Sequence, residues 1–179
     1  MNATKKNSII KCMKKNIVFI GMPSCGKSTL AKLLAQHFQI EWIDSDIEVE
    51  KISHTSIAQI FKEKGEAYFR NLENETILRL ATMQNTIIAT GGGVILNDSN
   101  MKALKENGFV VFIDRDVSLL SSSDPSRPLS KDLEELYTYR YPLYKKYADA
   151  IVENNGKIEE VMPTLIQIIG GTIYDHNNQ

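Results

Sequence analysis

The apolar run Ile17-Val18-Phe19-Ile20 leads directly into Gly21-Met22-Pro23-Ser24-Cys25-Gly26-Lys27-Ser28. The run is short and rich in β-branched residues, as expected of a parallel strand buried on both faces. The segment after it fits G-x-x-x-x-G-K-[ST], and Ser28 to Phe38 reads as a helix with Leu30, Leu33 and Leu34 on one face. A strand, a glycine loop and a helix, in that order, are the context this motif requires. Gly21 and Gly26 let the backbone turn tightly and approach an anion. Backbone N–H groups and the start of a helix then offer a phosphate site. Lys27 supplies a cation for the outer phosphates, and the Ser28 hydroxyl is a candidate magnesium ligand. Cys25 sits inside the loop near Lys27 and a helix start, a setting that suits a reactive thiol. A small residue at a variable loop position is the simpler reading.

The rest of the chain alternates strands and helices, which predicts an α/β fold built on a parallel sheet. Trp42-Ile43, Thr86 to Thr90, Phe109 to Ile113 and Ala150 to Val152 read as further strands. Ser56 opens a helix, with Gln59 placed for a capping box. A longer helix is expected from about Glu66 to Met83. Others are expected over Lys131 to Tyr147 and Ile158 to Ile169, the last with Pro163 early in it. At 179 residues the chain is long enough for one domain with a full core. Residues 1–12 read as a loose extension, with Met13 resembling a natural start. Residues 13–170 read as the domain and 171–179 as a frayed tail.

Composition narrows the partners. The formal net charge is −1, which argues against a generic nucleic-acid binder. No apolar run is long enough to span a membrane and no signal peptide is visible. Cys12 and Cys25 are expected to be free thiols in a reduced, cytoplasmic setting. The cations are 16 Lys and only 5 Arg, namely Arg70, Arg79, Arg115, Arg127 and Arg140. Arginine is the better bidentate partner for carboxylate and phosphate, so each one invites a question.

Five further segments carry chemistry. Asp44-Ser45-Asp46 closes the second strand, where carboxylates face the ligand crevice of a parallel sheet. Alternate residues on an extended chain point the same way, so both carboxylates are candidates for one site. Gly91-Gly92-Gly93 follows the third strand, leaving backbone for a ligand to pack on. Arg70 lies on a helix with Glu73 at i+3 to hold it. Arg127 falls in the Ser/Pro-rich stretch Ser121 to Pro128, which suits a lid over about 118–130. Arg140 falls in Arg140-Tyr141-Pro142-Leu143-Tyr144. Arg79 and Arg115 read as surface residues.

From about Lys14 to Ile169, these segments resemble the shikimate kinase family, small P-loop kinases of the nucleoside-monophosphate-kinase type. The matching runs are GMPSCGKST, IDSDIEVE, GEAYFRNLE, TGGGV, SRPL and RYPLY. The resemblance implies a three-layer fold around a five-stranded parallel sheet in the order 2-3-1-4-5. It implies transfer of the γ-phosphate of ATP to the 3-hydroxyl of shikimate. Gly21, Met22, Pro23, Ser24, Cys25, Gly26, Lys27, Ser28, Thr29 and Arg127 would bind ATP. Ser28 and Asp44 would hold Mg2+. Asp46, Arg70, Gly91, Gly92, Gly93 and Arg140 would bind shikimate, with Phe61 and Phe69 near its ring. Lys27, Asp46 and Arg127 would be catalytic. The implied partners are ATP and shikimate, without nucleic acid or membrane, and a monomer is expected.

Three positions depart from the family pattern. Ser118 to Ser122 holds no Arg where family members often pack one on adenine. Ser130 follows Leu129 where a second Leu is common. His54 stands where Gly often precedes the next helix, which calls for a left-handed His. A kinase for another small acid or polyol, such as gluconate, shares the phosphate loop but should differ in its acceptor residues. A non-catalytic binding protein of the same fold finds its only support in the absent Arg.

Overall fold

In the computed structural model, residues 15–120 and 133–175 are described. Five strands form one parallel sheet: β1 (Asn16–Ile20), β2 (Glu41–Asp44), β3 (Thr86–Ala89), β4 (Gly108–Asp114) and β5 (Ala150–Glu153). Their order is β2-β3-β1-β4-β5, as the resemblance implied. The register pairs Val18 with Ile88 on one side and with Val110 on the other. All five residues of β1 are buried, as the unbroken apolar run demands. The outer strand β2 is only half-buried, as befits an edge.

The helices are α1 (Lys27–Phe38), α2 (Ser45–Ser53), α3 (Ile57–Ala81), α4 (Asp98–Glu106), α5 (Leu133–Tyr147) and α6 (Ile158–Asp175). Leu30 and Leu34 of α1 pack in the main core with Ala31 and Ala35, while Leu33 is half-buried. Gly65 interrupts α3 with φ 80° and ψ 173°. This break separates a short helix opened by Ser56 from the long one expected near Glu66. The Ser56 Oγ accepts from the Gln59 N–H at 3.2 Å, but the Gln59 side chain turns to Glu63 rather than back to the cap. Half of the expected capping box therefore forms. The Glu50 carboxylate accepts from the Ile57 N–H at 2.9 Å, joining α2 to α3 across the His54 turn. His54 adopts φ 54°, the left-handed conformation anticipated for it.

Two expectations are corrected. Helix α4 has no counterpart in the sequence reading, although Asn97 caps it through the Ser99 N–H. Helix α6 runs through Gly170 and Gly171 to Asp175, past the point where a frayed end is expected. Cys12, the extension over 1–12, Arg127 and most of the lid stretch lie outside the described residues.

A second apolar cluster stands apart from the main core. Val49, Ile60 and Phe69 form its centre, with Ile57, Phe61 and Leu72 packed around them. This small core fixes α2 against both halves of α3, and so shapes one wall of the site.

Candidate active site

The phosphate loop connects β1 to α1. Gly26 carries φ 97° and caps the helix without a side chain. A Cβ there would strike the Asn154 amide, whose Nδ2 donates to the Cys25 carbonyl at 2.8 Å. Ser24 also lies at positive φ, 62°. Lys27 is 6% exposed. Its ammonium folds back over the loop and donates to the Gly21 carbonyl at 2.9 Å and the Met22 carbonyl at 2.7 Å. Cys25 is fully buried, with its Sγ 3.6 Å from that ammonium, which favours a packing role. Thr29 lies exposed one residue beyond Ser28.

Ser28 and Asp44 meet: the Ser28 hydroxyl donates to Asp44 Oδ2. The other oxygen of Asp44 accepts from the Asp46 N–H at 2.9 Å and caps α2. The anticipated alternation of Asp44 and Asp46 on an extended strand is therefore corrected. Asp46 lies in the first turn of α2, and the cap, not the pleat, brings both carboxylates to one cavity. The hydroxyl and carboxylate of Ser28 and Asp44 are the hard oxygen donors that magnesium prefers.

That cavity holds about 330 Å³, and Pro23, Asp44, Asp46, Arg70, Glu73, Gly91, Gly92, Gly93 and Arg140 all line it. Phe61 and Phe69 supply an apolar wall, their ring centroids 4.8 Å apart. Glycine at 92 is required by close approach, since a Cβ would lie 2.7 Å from Pro23 Cδ. Gly91 backs onto Asp46 and Gly93 onto the Arg70 guanidinium. The Gly91 N–H donates to Ser45 Oγ at 3.0 Å.

Charge in this cavity is concentrated and partly unmet. Arg70 bonds Glu73 at 2.8 Å and Glu66 at 3.1 Å. Glu73 is 2% exposed. Burial raises its carboxyl above the ordinary range; Arg70 opposes the rise, and Asp46 adds to it. Glu73 Oε1 and Arg140 Nε are buried with no hydrogen-bond partner among the described residues. Arg140 itself is 3% exposed. A buried guanidinium with an unmet N–H is costly unless an anion meets it. Arg79 and Arg115 lie elsewhere, as expected: Arg79 pairs with Glu48 at 2.8 Å and Arg115 donates to the Leu119 carbonyl at 3.2 Å.

Several contributors escaped the sequence reading. Glu50 lines the cavity, four residues after Asp46 and on the same helical face, a spacing that could have flagged it. Tyr144, inside the quoted RYPLY run, donates to the Gly92 carbonyl at 2.6 Å. Asn154 and Ser45 hold backbone through contacts that no local pattern announces.

A 2-3-1-4-5 parallel sheet with this loop after β1 defines a P-loop kinase of the nucleoside-monophosphate-kinase type. The comparisons narrow the class. The family model described as "Shikimate kinase" matches residues 23–170. A shikimate kinase from Clostridium botulinum (strain Eklund 17B / Type B) is 44% identical over 163 residues, covering 88% of this chain and 98% of that one. Among solved structures, shikimate kinase from Acinetobacter baumannii in complex with shikimate superposes with a TM-score of 0.85 at 30% identity, covering 97% and 99% of the two chains. Shikimate kinase from Aquifex aeolicus vf5 gives 0.78 at 35% identity, covering 88% and 97%. The chain belongs to the shikimate kinase family, which are ATP-dependent phosphotransferases.

Proposed function

We propose that the described cavity is the acceptor site for shikimate and that the phosphate loop beside it delivers the γ-phosphoryl group of ATP. The observation that carries this reading is the convergence of Arg70, Arg140 and Asp46 on one cavity that Pro23 of the phosphate loop also lines. Shikimate is a polyol with one carboxylate. Two guanidiniums suit the carboxylate, and a carboxylate acceptor suits a hydroxyl.

The chemistry is in-line transfer, in which positioning and charge neutralisation do most of the work. The bond between the γ-phosphorus and the ADP oxygen breaks as the 3-hydroxyl oxygen bonds to phosphorus. Asp46 orients that hydroxyl and accepts its proton, giving shikimate 3-phosphate and ADP. Lys27 exchanges its carbonyl partners for phosphate oxygens. Arg127, outside the described residues, would neutralise charge on the transferring group. Gly21 to Thr29 hold the nucleotide, and Gly91 to Gly93 form the floor beneath the acceptor. Ser28 and Asp44 would hold Mg2+, which when bound supplies positive charge for the phosphate oxygens.

Every residue in this scheme comes from one chain, so a monomer suffices. The working unit is residues 13–170, and the buried free thiol of Cys25 suits a reduced, cytoplasmic setting. Among the described residues no helix is long and apolar enough to cross a membrane. Replacing Arg140 by Leu tests the acceptor assignment. The shikimate KM should rise at least tenfold while the ATP KM stays within about threefold, because one of two charged partners is lost. An unchanged shikimate KM would reject the assignment.

A further inference from the structure

We propose that Tyr144 is a positioning residue whose hydroxyl locks the glycine triplet against the phosphate loop. Tyr144 is fully buried. Its hydroxyl donates to the Gly92 carbonyl at 2.6 Å and lies 3.9 Å from Met22 Sδ. One oxygen therefore touches both the acceptor floor and the phosphate loop. Gly92 in turn packs against Pro23, whose ring leaves no room for a Cβ at that position.

The ring of Tyr144 packs against the sheet. It stacks on Phe112 of β4, with centroids 4.9 Å apart and planes 20° from parallel. Arg140 lies four residues earlier on α5 and lines the acceptor cavity, so the two side chains share a helical face. Helix α5 thus presents an acceptor cation and, one turn later, the bond that sets the height of the acceptor floor. A shift of about 1 Å between reacting groups can cost on the order of a hundredfold in rate. A neutral hydrogen bond between two packed segments is well placed to control that distance.

The inference rests on the acceptor reading above, and wild-type turnover with shikimate tests that reading separately. The variant Tyr144→Phe keeps the ring and its stack on Phe112 but removes the donor to Gly92. The expected result is a kcat at least tenfold below wild type and a raised shikimate KM, with the ATP KM within twofold. Phe112→Leu serves as the comparison, because it loosens the same ring while leaving the hydroxyl. It should lower Tm by at least as much and leave kcat within about threefold. A Tyr144→Phe enzyme that is folded at the assay temperature, with kcat and both KM values within twofold of wild type, overturns the proposal. So does a Phe112→Leu enzyme that loses kcat to the same extent.

Discussion

Arg70 and Glu73 stand one turn apart on α3 and share a 2.8 Å ion pair, yet Glu73 Oε1 has no hydrogen-bond partner among the described residues. The pair is thus only half satisfied. Glu73 fixes the guanidinium through one oxygen, and the Arg70 side chain reaches Glu66 on its more exposed side. Such a clamp leaves the guanidinium aimed rather than mobile, which is what recognition of a planar carboxylate requires.

Replacing Arg70 by Lys should therefore raise the shikimate KM about tenfold or more. A point charge cannot reproduce the fork, and a charged hydrogen bond contributes roughly 1.5–3 kcal/mol. The ATP KM should stay within about threefold. Steady-state kinetics with each substrate varied in turn decide it, and an unchanged shikimate KM refutes the role.

Asp46 should matter to turnover more than to binding of nucleotide. Asp46→Asn keeps the shape and removes the base, so kcat should fall by about a hundredfold or more. The ATP KM should change little, because the side chain lines the acceptor cavity. Equal turnover in the two proteins would remove Asp46 from the chemistry.

Glu73 predicts a pH dependence. Burial raises its carboxyl pKa in the folded chain, and the opposing pull of Arg70 does not cancel the rise. Between the unfolded and folded pKa the folded state binds more protons, so the Glu73 contribution to stability falls as pH rises. It is fully present below the unfolded value and lost as pH climbs through the folded one. Denaturant unfolding of wild type and Glu73→Gln across this range should show the wild type losing stability relative to the variant as pH rises. A difference independent of pH would contradict it.

His54 offers a stability test away from the chemistry. Its φ of 54° places a side chain where Gly is at ease, and a left-handed non-glycine residue costs roughly 1–2 kcal/mol. His54→Gly should stabilise the protein by about 0.5–1 kcal/mol once the greater freedom of Gly in the unfolded chain is set against that gain. Thermal unfolding reads it directly, and a lower Tm would show that the His54 side chain makes a contact worth more than the strain.

Much of this site was legible because its chemistry is local. The phosphate loop needs eight consecutive residues, and Arg70 with Glu73 needs one helical turn. The scarcity of arginine singles out Arg140 from the sequence alone. What escaped was either weakly patterned or non-local. Helix α4 buries only Asn100, Met101 and Leu104, too few positions for a convincing apolar stripe. Gly170 and Gly171 argue for a stop by propensity, yet α6 continues through them after burying Leu165 and Ile169 in the main core. Tyr144 meets Gly92 across 52 residues of chain, and no periodicity encodes that. Asp46 reaches the cavity through the cap on Asp44 and not through strand alternation, which no residue pattern announces.

Transfer from ATP to shikimate in this cavity is read by acceptor-dependent ADP release from the purified full chain. With Mg2+ and ATP present, ADP should be released when shikimate is added and not when gluconate replaces it. Release with gluconate but not shikimate, or no release with either while ATP and shikimate still bind, would contradict the account.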